Sequence, residues 1–297
     1  QLMNIGFIGL GNMGTGMVRN ILKNMGQNNN LNVYTRTKSK IDSMVEEGAT
    51  GCYSLKELTT NSDIILTCLP NVDTSRDLIL GSDGIINHAN SNQILVDHST
   101  VDIKTSQDCS NVAAEKNISF LDAPISGGPI GASEGTLTIM VGGNKTAFEK
   151  SSSVFEMMGG KISHMGKSGA GTAMKLVNQL LVSTNTVAAA EAFVLAEQAG
   201  VDLNSAIDIL STSWGQSQMI ERNGPITVEE NFENSAAPLR NLIKDLNILE
   251  DLRLQLGLEL PVTQASSKVA NDTNNMGLTE PDIAATALTI KKLSSIE

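Results

Sequence analysis

A lysine and two amide side chains lie within five positions of one another in the stretch GAGTAMKLVNQ, residues 169–179. Asn178 and Gln179 follow Lys175 at i+3 and i+4, so a helix would place all three on one face. An ammonium group can protonate a developing alkoxide, and amides beside it can orient both lysine and substrate. Most helix lysines are surface charges, but the immediate neighbours of Lys175 are apolar. The spacing therefore predicts a proton-transfer site with Lys175 as acid and base.

A glycine pattern near the start of the chain suits a nucleotide. The apolar segment 4–8 is followed by GLGNMG at 9–14 and then by apolar residues at helical spacing. In a strand–turn–helix unit, such glycines bring a pyrophosphate close to free N–H groups at the helix N-terminus. The alternative is a glycine turn that only lets the helix pack on its strand. The residues expected to bind the dinucleotide are Gly9, Leu10, Gly11, Asn12, Met13 and Gly14.

The residues after the second predicted strand, 31–34, bear on which dinucleotide binds. An NAD site usually has a carboxylate there for the ribose 2′-hydroxyl, whereas this chain has Thr35, Arg36 and Thr37. A guanidinium can fork on a phosphate, and threonine hydroxyls can add hydrogen bonds. NADP is therefore the expected cofactor and NAD the alternative, unless these residues are only a solvated loop.

Buried-strand patterns alternate with helical ones through residue 141, which predicts parallel βαβ units with ligands beyond the carboxyl ends of the strands. The loops at 69–71 and 98–100 are therefore expected at the cofactor. His98 lies in one of them, although a loop histidine is usually solvated or packed. Ser126, Gly127 and Gly128 can form a nest of N–H groups for a carboxylate, or they are a plain turn. The predicted strands are 63–68, 94–97, 118–121 and 136–141.

The pattern changes to helices near residue 170. Residues 172–198 contain neither proline nor glycine and are apolar on more than one side, as in a helix buried between domains or subunits. Further helices are predicted up to 210 and over 238–256. We predict an α/β protein with an N-terminal Rossmann doubly wound sheet in 1–166. An all-α C-terminal domain for substrate binding and oligomerisation follows in 167–297, with a long interdomain helix.

Composition excludes several classes. The net charge is -11 and no basic run occurs, so a nucleic acid partner is not expected. The apolar runs are too short for a bilayer, which needs about 20 residues. Three cysteines without CxxC spacing give no disulfide framework, and the proposed chemistry needs no metal. A cytoplasmic protein that associates as a homodimer or a homotetramer is expected.

Four ordered motifs make the chain resemble the β-hydroxyacid dehydrogenase family. This family includes 3-hydroxyisobutyrate dehydrogenases, tartronate semialdehyde (2-hydroxy-3-oxopropionate) reductases, and glyoxylate or succinic semialdehyde reductases. The motifs are 6–14 with Met17 and Asn20; 122–128 with Gly131, 135–137 and 140–143; 169–171 with Lys175 and Asn178; and 244–246.

The resemblance implies interconversion of a small β-hydroxy acid and its semialdehyde by hydride transfer, with Lys175 as catalytic acid and base. It places the substrate carboxylate at Ser126, Gly127 and Gly128. Cofactor contacts are implied for Leu69, Pro70, Asn71, Thr100 and Lys244.

One departure from the family is Gln179, where a second asparagine is common and tartronate semialdehyde reductases have glutamine. The favoured substrates are therefore of the tartronate semialdehyde or 3-hydroxyisobutyrate type, with glyoxylate or succinic semialdehyde as alternatives. Lys175 argues against an imine reductase, and Asn178 against a 6-phosphogluconate dehydrogenase. A cofactor-binding regulatory protein without turnover is the alternative from another class.

Overall fold

The computed structural model describes residues 3–233 and 236–296. The chain divides into two compact units, Gln1–Lys175 and Leu176–Glu297. The division falls inside one long helix. The domain boundary expected at residue 166 stays a prediction.

The first unit is built on a nine-stranded sheet. Its strands are β1 Asn4–Ile8, β2 Asn30–Tyr34, β3 Thr50–Gly51, β4 Ile64–Thr67, β5 Ile94–Asp97, β6 Ser119–Asp122, β7 Ile125–Ser126, β8 Leu137–Gly143 and β9 Gly159–Gly166. The spatial order is β3-β2-β1-β4-β5-β6-β8-β7, and β9 pairs with β8. The strands from β3 to β6 are parallel, whereas β8 runs antiparallel to β6 and β7. β4 and β5 are buried along their whole length, as expected of strands covered on both faces.

Eight helices of the first unit connect these strands. They are α1 Asn12–Asn24, α2 Lys38–Glu46, α3 Leu55–Thr60, α4 Val72–Leu80, α5 Ile85–His88, α6 Ile103–Glu115, α7 Gly128–Glu134 and α8 Lys145–Glu156. Apolar residues of the strands and of the helices packed on them form two clusters in this unit. One contains Phe7, Val96 and Phe155, and the other contains Ile65 and Leu95.

Three strands of the sheet were not expected from the sequence. β3 and β7 have only two residues each, too few to show any alternation. β9 begins with two glycines, and most of its side chains are partly or fully exposed, so it lacks the apolar pattern of a covered strand. It forms by pairing with β8, a partner that local sequence does not reveal.

A single helix, α9 Ala170–Gln198, continues from the first unit into the second. By length and composition it could cross a membrane, but this is weak evidence because core helices of soluble proteins pass the same test. The second unit adds α10 Leu203–Leu210, α11 Gln218–Val228, α12 Leu239–Leu256, α13 Pro261–Asn274 and α14 Thr286–Leu293, with a 3₁₀ turn at Ile283–Ala285. The predicted Rossmann sheet followed by a helical region is confirmed.

Helix α11 was also not expected, because Gly224 and Pro225 interrupt its pattern. An ion pair holds it: the partly exposed Arg222 donates from both terminal nitrogens to the fully buried carboxylate of Asp282, with 2.6 Å between Nη2 and Oδ2. The same carboxylate accepts from the Ala284 N–H and so begins the 3₁₀ turn. One long-range pair thus orders two segments that local propensity leaves open.

Candidate active site

The glycine turn between β1 and α1 brings backbone atoms into close contact. A Cβ on Gly14 would lie 1.8 Å from the Gly9 carbonyl oxygen, so only glycine allows this helix to begin so near its strand. Gly9 has a φ of 104°, and its N–H donates to the Tyr34 carbonyl at 3.1 Å. The turn is thereby tied to the end of β2.

The start of α1 fits a pyrophosphate. A Cβ on Gly11, the N-cap residue, would meet no atom within 4 Å, so this backbone borders open space. No side chain caps the helix, and its first turn contains no acidic residue. Its N–H groups and helix dipole are therefore suited to an anion. Leu10, Asn12 and Met13 complete the predicted loop.

The segment after β2 contains a cation without a protein partner. Arg36 is exposed and makes no hydrogen bond or ion pair with any other residue that the structure describes. Thr35 is half-buried, and Thr37 begins α2 without a side-chain capping bond. Lys38, by contrast, lies 5.6 Å from the centre of the Tyr53 ring. Arg36 is therefore the side chain in this loop best suited to a 2′-phosphate.

The loops after β4 and β5 are joined by a buried carboxylate. Asp97 accepts from the Thr67 hydroxyl at 2.8 Å and from the Ser99 N–H at 3.0 Å. The Ser99 hydroxyl in turn accepts from the Leu69 N–H at 2.8 Å. Burial raises the pKa of Asp97, and these donors oppose that shift. The network holds together two loops that were expected at the cofactor.

The other residues predicted in these loops differ in their hydrogen bonding and burial. Asn71 uses its side-chain oxygen to cap α4, accepting from the Thr74 N–H at 2.8 Å. This bond gives Asn71 a structural role whether or not it meets a cofactor. Pro70 is exposed, and Thr100 is half-buried.

His98 is a packed core residue. Its side chain is 2% exposed, Nδ1 lies 2.7 Å from the Ala123 carbonyl oxygen, and its ring meets Phe155 edge to face. Nε2 has no hydrogen-bond partner in the described part of the chain. Burial lowers the pKa of His98 to about 4, against a smaller opposing effect of the Ala123 carbonyl. The imidazole is therefore neutral at pH 7, with its proton on Nδ1.

The predicted carboxylate cradle has an open backbone. Gly127 and Gly128 have φ values of 131° and 63°, and a Cβ on Gly128 would meet no atom within 4 Å. Ser126 precedes them at the end of β7 and is half-buried. Asn20 of α1 links this helix to α7, because its Nδ2 lies 2.7 Å from the Ala132 carbonyl oxygen. The cradle and the glycine turn thus belong to one connected framework.

Lys175 lies near the start of α9 and is 7% exposed. Asp122, the last residue of β6, holds this end of the helix. Its Oδ1 accepts from the Gly169 N–H at 2.7 Å, and its Oδ2 accepts from the Thr172 N–H at 2.9 Å. A Cβ on Gly171 would lie 2.3 Å from the Met140 carbonyl oxygen, so the approach of the helix to the sheet requires glycine. Burial raises the pKa of Asp122, and the backbone donors oppose that rise.

The remaining predicted residues lie in the second unit and are connected to one another. Gln179 donates from Nε2 to Asp245 at 2.7 Å, and Asn178 donates from Nδ2 to the Gln179 oxygen at 3.0 Å. The Lys244 ammonium lies 3.0 Å from the other oxygen of Asp245.

Sequence reasoning assigned no role to Asp97, Asp122 or Asp245. Each of these carboxylates is buried, and each organises residues that were predicted to function. The sequence does contain a signal for Asp97 and Asp122. An aspartate that ends an apolar strand needs hydrogen-bond donors at the carboxyl edge of the sheet, where ligands are expected. No group of three or more His, Cys, Asp or Glu side chains that could hold a metal ion occurs within residues 3–233 and 236–296.

Comparisons with known proteins agree with this arrangement. Residues 4–166 match the family described as the NAD binding domain of 6-phosphogluconate dehydrogenase. Residues 169–290 match the NAD-binding family of NADP-dependent 3-hydroxyisobutyrate dehydrogenase. Fold, glycine turn and family matches together define an NAD(P)-binding oxidoreductase.

Individual relatives narrow the class. The chain is 34% identical to 2-(hydroxymethyl)glutarate dehydrogenase of Eubacterium barkeri, over 95% of this chain and 93% of the relative. It is 33% identical to mitochondrial 3-hydroxyisobutyrate dehydrogenase of Drosophila melanogaster, over 97% and 90%. A solved 3-hydroxyisobutyrate dehydrogenase of Mycobacterium tuberculosis with L-serine has a TM-score of 0.87 at 26% identity, over 98% and 100%. The chain belongs to the β-hydroxyacid dehydrogenase family, which confirms the resemblance and the expected NAD(P) cofactor.

The buried neutral His98 predicts a pH-dependent stability. The pKa of His98 in the folded protein lies below its unfolded value of 6.5. The neutral side chain therefore contributes fully to the free energy of unfolding above pH 6.5, and this contribution is lost as the pH falls toward 4. Between these pH values the free energy of unfolding falls by about 1.4 kcal/mol per pH unit. Urea unfolding at pH 7.5 and 5.0 should therefore show a smaller loss in His98→Asn than in the unsubstituted protein. Asparagine does not titrate there and can still donate to the Ala123 carbonyl. Equal losses in both proteins would refute this account of His98.

Proposed function

We propose that the chain interconverts a 3-hydroxy acid and the corresponding semialdehyde, with NADP as the preferred cofactor. The observation that carries the proposal is the buried Lys175 on a helix anchored at the end of β6 by Asp122. The same strand end leads into Ser126, Gly127 and Gly128. A proton donor and a carboxylate cradle thus follow from one point in the fold.

The compounds named for the relatives support a substrate class. 2-(Hydroxymethyl)glutarate, 3-hydroxyisobutyrate and L-serine share a carboxylate whose α-carbon carries a CH₂OH group. We propose that this 3-hydroxypropanoate unit is what the enzyme recognises. Tartronate semialdehyde and methylmalonate semialdehyde, the aldehydes of glycerate and 3-hydroxyisobutyrate, both fit it.

Bound NAD(P)H supplies the hydride to the carbonyl carbon. The proposed role of Ser126 and the Gly127 and Gly128 N–H groups is to hold the substrate carboxylate. As the carbonyl oxygen gains charge, the Lys175 ammonium gives it a proton, and the product is the hydroxyl group. In the reverse direction neutral Lys175 accepts that proton. Asn178 and Gln179 are proposed to orient the lysine and substrate, and Lys244 to contact the cofactor.

The glycine turn, Leu69, Pro70, Asn71 and Thr100 are the proposed cofactor contacts in the first unit. The open space at Gly11 and the uncapped start of α1 support the pyrophosphate position. Arg36, with Thr35 and Thr37 on either side, is the proposed site of the 2′-phosphate.

We also propose a cytoplasmic homo-oligomer, a dimer or a tetramer. The support for association is that the helical unit exposes several large apolar side chains, which an interface would remove from water. Among these side chains are Leu195, Ile209, Leu254 and Val262, each more than 60% exposed.

Replacing Lys175 tests the proposed acid. Lys175→Met keeps the apolar stem and removes the ammonium, so kcat should fall by about 10²–10⁴-fold. NADPH binding, followed by fluorescence titration, should stay close to normal. The exposed neighbour Lys167 provides the matched control, because Lys167→Met removes a charge without removing the acid. Near-normal turnover in folded, cofactor-binding Lys175→Met would overturn the assignment.

Replacing Arg36 tests the cofactor preference. Arg36→Ala removes a guanidinium without other protein partners in the described chain, so folding should be unaffected. The KM for NADPH should rise about tenfold or more, because a charge-assisted phosphate contact is lost. The KM for NADH, which lacks the phosphate, serves as the internal control and should change little. Equal increases for both cofactors would contradict the proposed role.

A further inference from the structure

Four polar side chains of the second unit form one chain of contacts: Lys244, Asp245, Gln179 and Asn178. Three distances define it: 3.0 Å from Lys244 Nζ to Asp245 Oδ1, 2.7 Å from Gln179 Nε2 to Asp245 Oδ2, and 3.0 Å from Asn178 Nδ2 to Gln179 Oε1. Asp245 and Gln179 are 5% and 9% exposed. We call Asp245, Gln179 and Asn178 the amide relay.

The chemistry of the groups gives the amide relay a direction. An ionised carboxylate only accepts hydrogen bonds, so the NH₂ group of Gln179 must face Asp245. The Gln179 oxygen then faces Asn178, and an amide oxygen also only accepts. The NH₂ group of Asn178 must therefore face Gln179. One buried carboxylate thus sets the orientation of two successive amides.

We propose that Asp245 is a positioning residue that sets the orientation of the Asn178 amide through Gln179. This inference rests on the proposed function, in which Asn178 orients Lys175 and substrate. An ammonium and a substrate hydroxyl both donate to an amide oxygen, whereas a flipped amide would present its own donors to them. An incorrectly oriented Asn178 would therefore weaken catalysis without loss of any residue at the reacting atoms.

The amide relay also gives Gln179 a structural role. This position holds asparagine more commonly in the family. The side chain spans from Asn178, its neighbour on α9, to Asp245 on α12. Asparagine is one methylene shorter, which would weaken or break the contact with Asp245. The longer side chain is therefore required for the carboxylate to act on Asn178.

Lys244 is the second partner of the Asp245 carboxylate. It allows the effect of Asp245 on NADPH binding to be distinguished from its effect on turnover. The Asp245 oxygen beside Lys244 has no hydrogen bond in the described chain, and it forms an ion pair with the Lys244 ammonium. Removing the Asp245 charge releases the Lys244 ammonium for a cofactor phosphate. An Asp245 variant should therefore bind NADPH as well as the unsubstituted enzyme, or better, while turnover falls.

The test uses Asp245→Asn, Gln179→Met and the double variant in the full-length enzyme. Each single substitution should lower kcat/KM for the hydroxy acid by about 10²-fold, the cost expected of a misplaced catalytic group. The NADPH dissociation constant should not rise in Asp245→Asn and should rise no more than about threefold in Gln179→Met. The double variant should be no worse than the worse single variant, because both changes break the same relay.

Ser183→Ala is the matched control. Ser183 lies one turn beyond Gln179 on α9 and makes a buried hydroxyl pair with Ser266 at 2.9 Å. Its loss should lower thermal stability but leave kcat/KM within about twofold. This comparison separates orientation of the amides from a general weakening of the helical unit.

A readout independent of turnover is the side-chain NH₂ signal of Gln179 in a ¹⁵N spectrum, assigned by its absence in Gln179→Met. It should exchange slowly with solvent in the unsubstituted protein and faster in Asp245→Asn. Unchanged exchange, normal turnover in either folded single variant, or additive losses in the double variant would each overturn the proposal. If Asp245→Asn does not fold, Asp245→Ser replaces it, because serine also removes the charge that orients Gln179. Failure of the proposed function would instead show as normal turnover in Lys175→Met.

Discussion

A buried carboxylate at the start of α9 is the contact on which the candidate site depends. Asp122 ends β6 and binds two N–H groups of the helix that carries Lys175. Glycines at 142 and 171 make the approach possible, since a Cβ on Gly142 would lie 2.6 Å from the Asp122 carboxylate. The position of Lys175 relative to the sheet is therefore a consequence of strand, cap and close packing together. A surface lysine on a freely placed helix would have none of these constraints.

Each of the three organising carboxylates acts where charge would otherwise be costly. Asp97 binds a hydroxyl and an N–H, Asp122 caps a helix, and Asp245 meets an amide and an ammonium. Burial without such donors would disfavour the charged form. Because the donors belong to other segments of the chain, satisfying the carboxylate also fixes the positions of those segments. These acidic residues thus stabilise the framework, whereas the anionic groups of substrate and cofactor are proposed to contact basic side chains, the Ser126 hydroxyl and backbone N–H groups.

The parts of this structure that sequence predicts well are those with local causes. The glycine pattern at 9–14 lies between a strand and a helix, and both form as expected because apolar spacing and turn geometry are local properties. Helix α9 was predicted to within two residues of its start. β9 and α11 were missed because they form through pairing with β8 and through the Arg222–Asp282 ion pair.

The candidate site shows the same difference between residues that local spacing predicts and contacts between distant parts of the chain. Lys175 and its two amide neighbours could be found from helical spacing. The contacts of Asp122 with Gly169 and of Gln179 with Asp245 join residues 47 and 66 positions apart. No local pattern specifies such pairs. For His98, the sequence favoured a solvated or packed histidine over a chemical role, and its burial against Phe155 gives it a structural role.

In the proposed function, this chain reduces aldehydes that carry a carboxylate. The most direct test compares initial rates of NADPH oxidation with methylmalonate semialdehyde and with isobutyraldehyde, in which a methyl group replaces the carboxylate. Tartronate semialdehyde is measured alongside as the second candidate. We expect turnover of at least one semialdehyde and a kcat/KM lower by about 10²-fold or more for isobutyraldehyde, since the carboxylate contacts are lost. Equal rates with and without the carboxylate would contradict the cradle. Tight NADPH binding with no turnover of any acid would indicate a cofactor-binding protein without this activity.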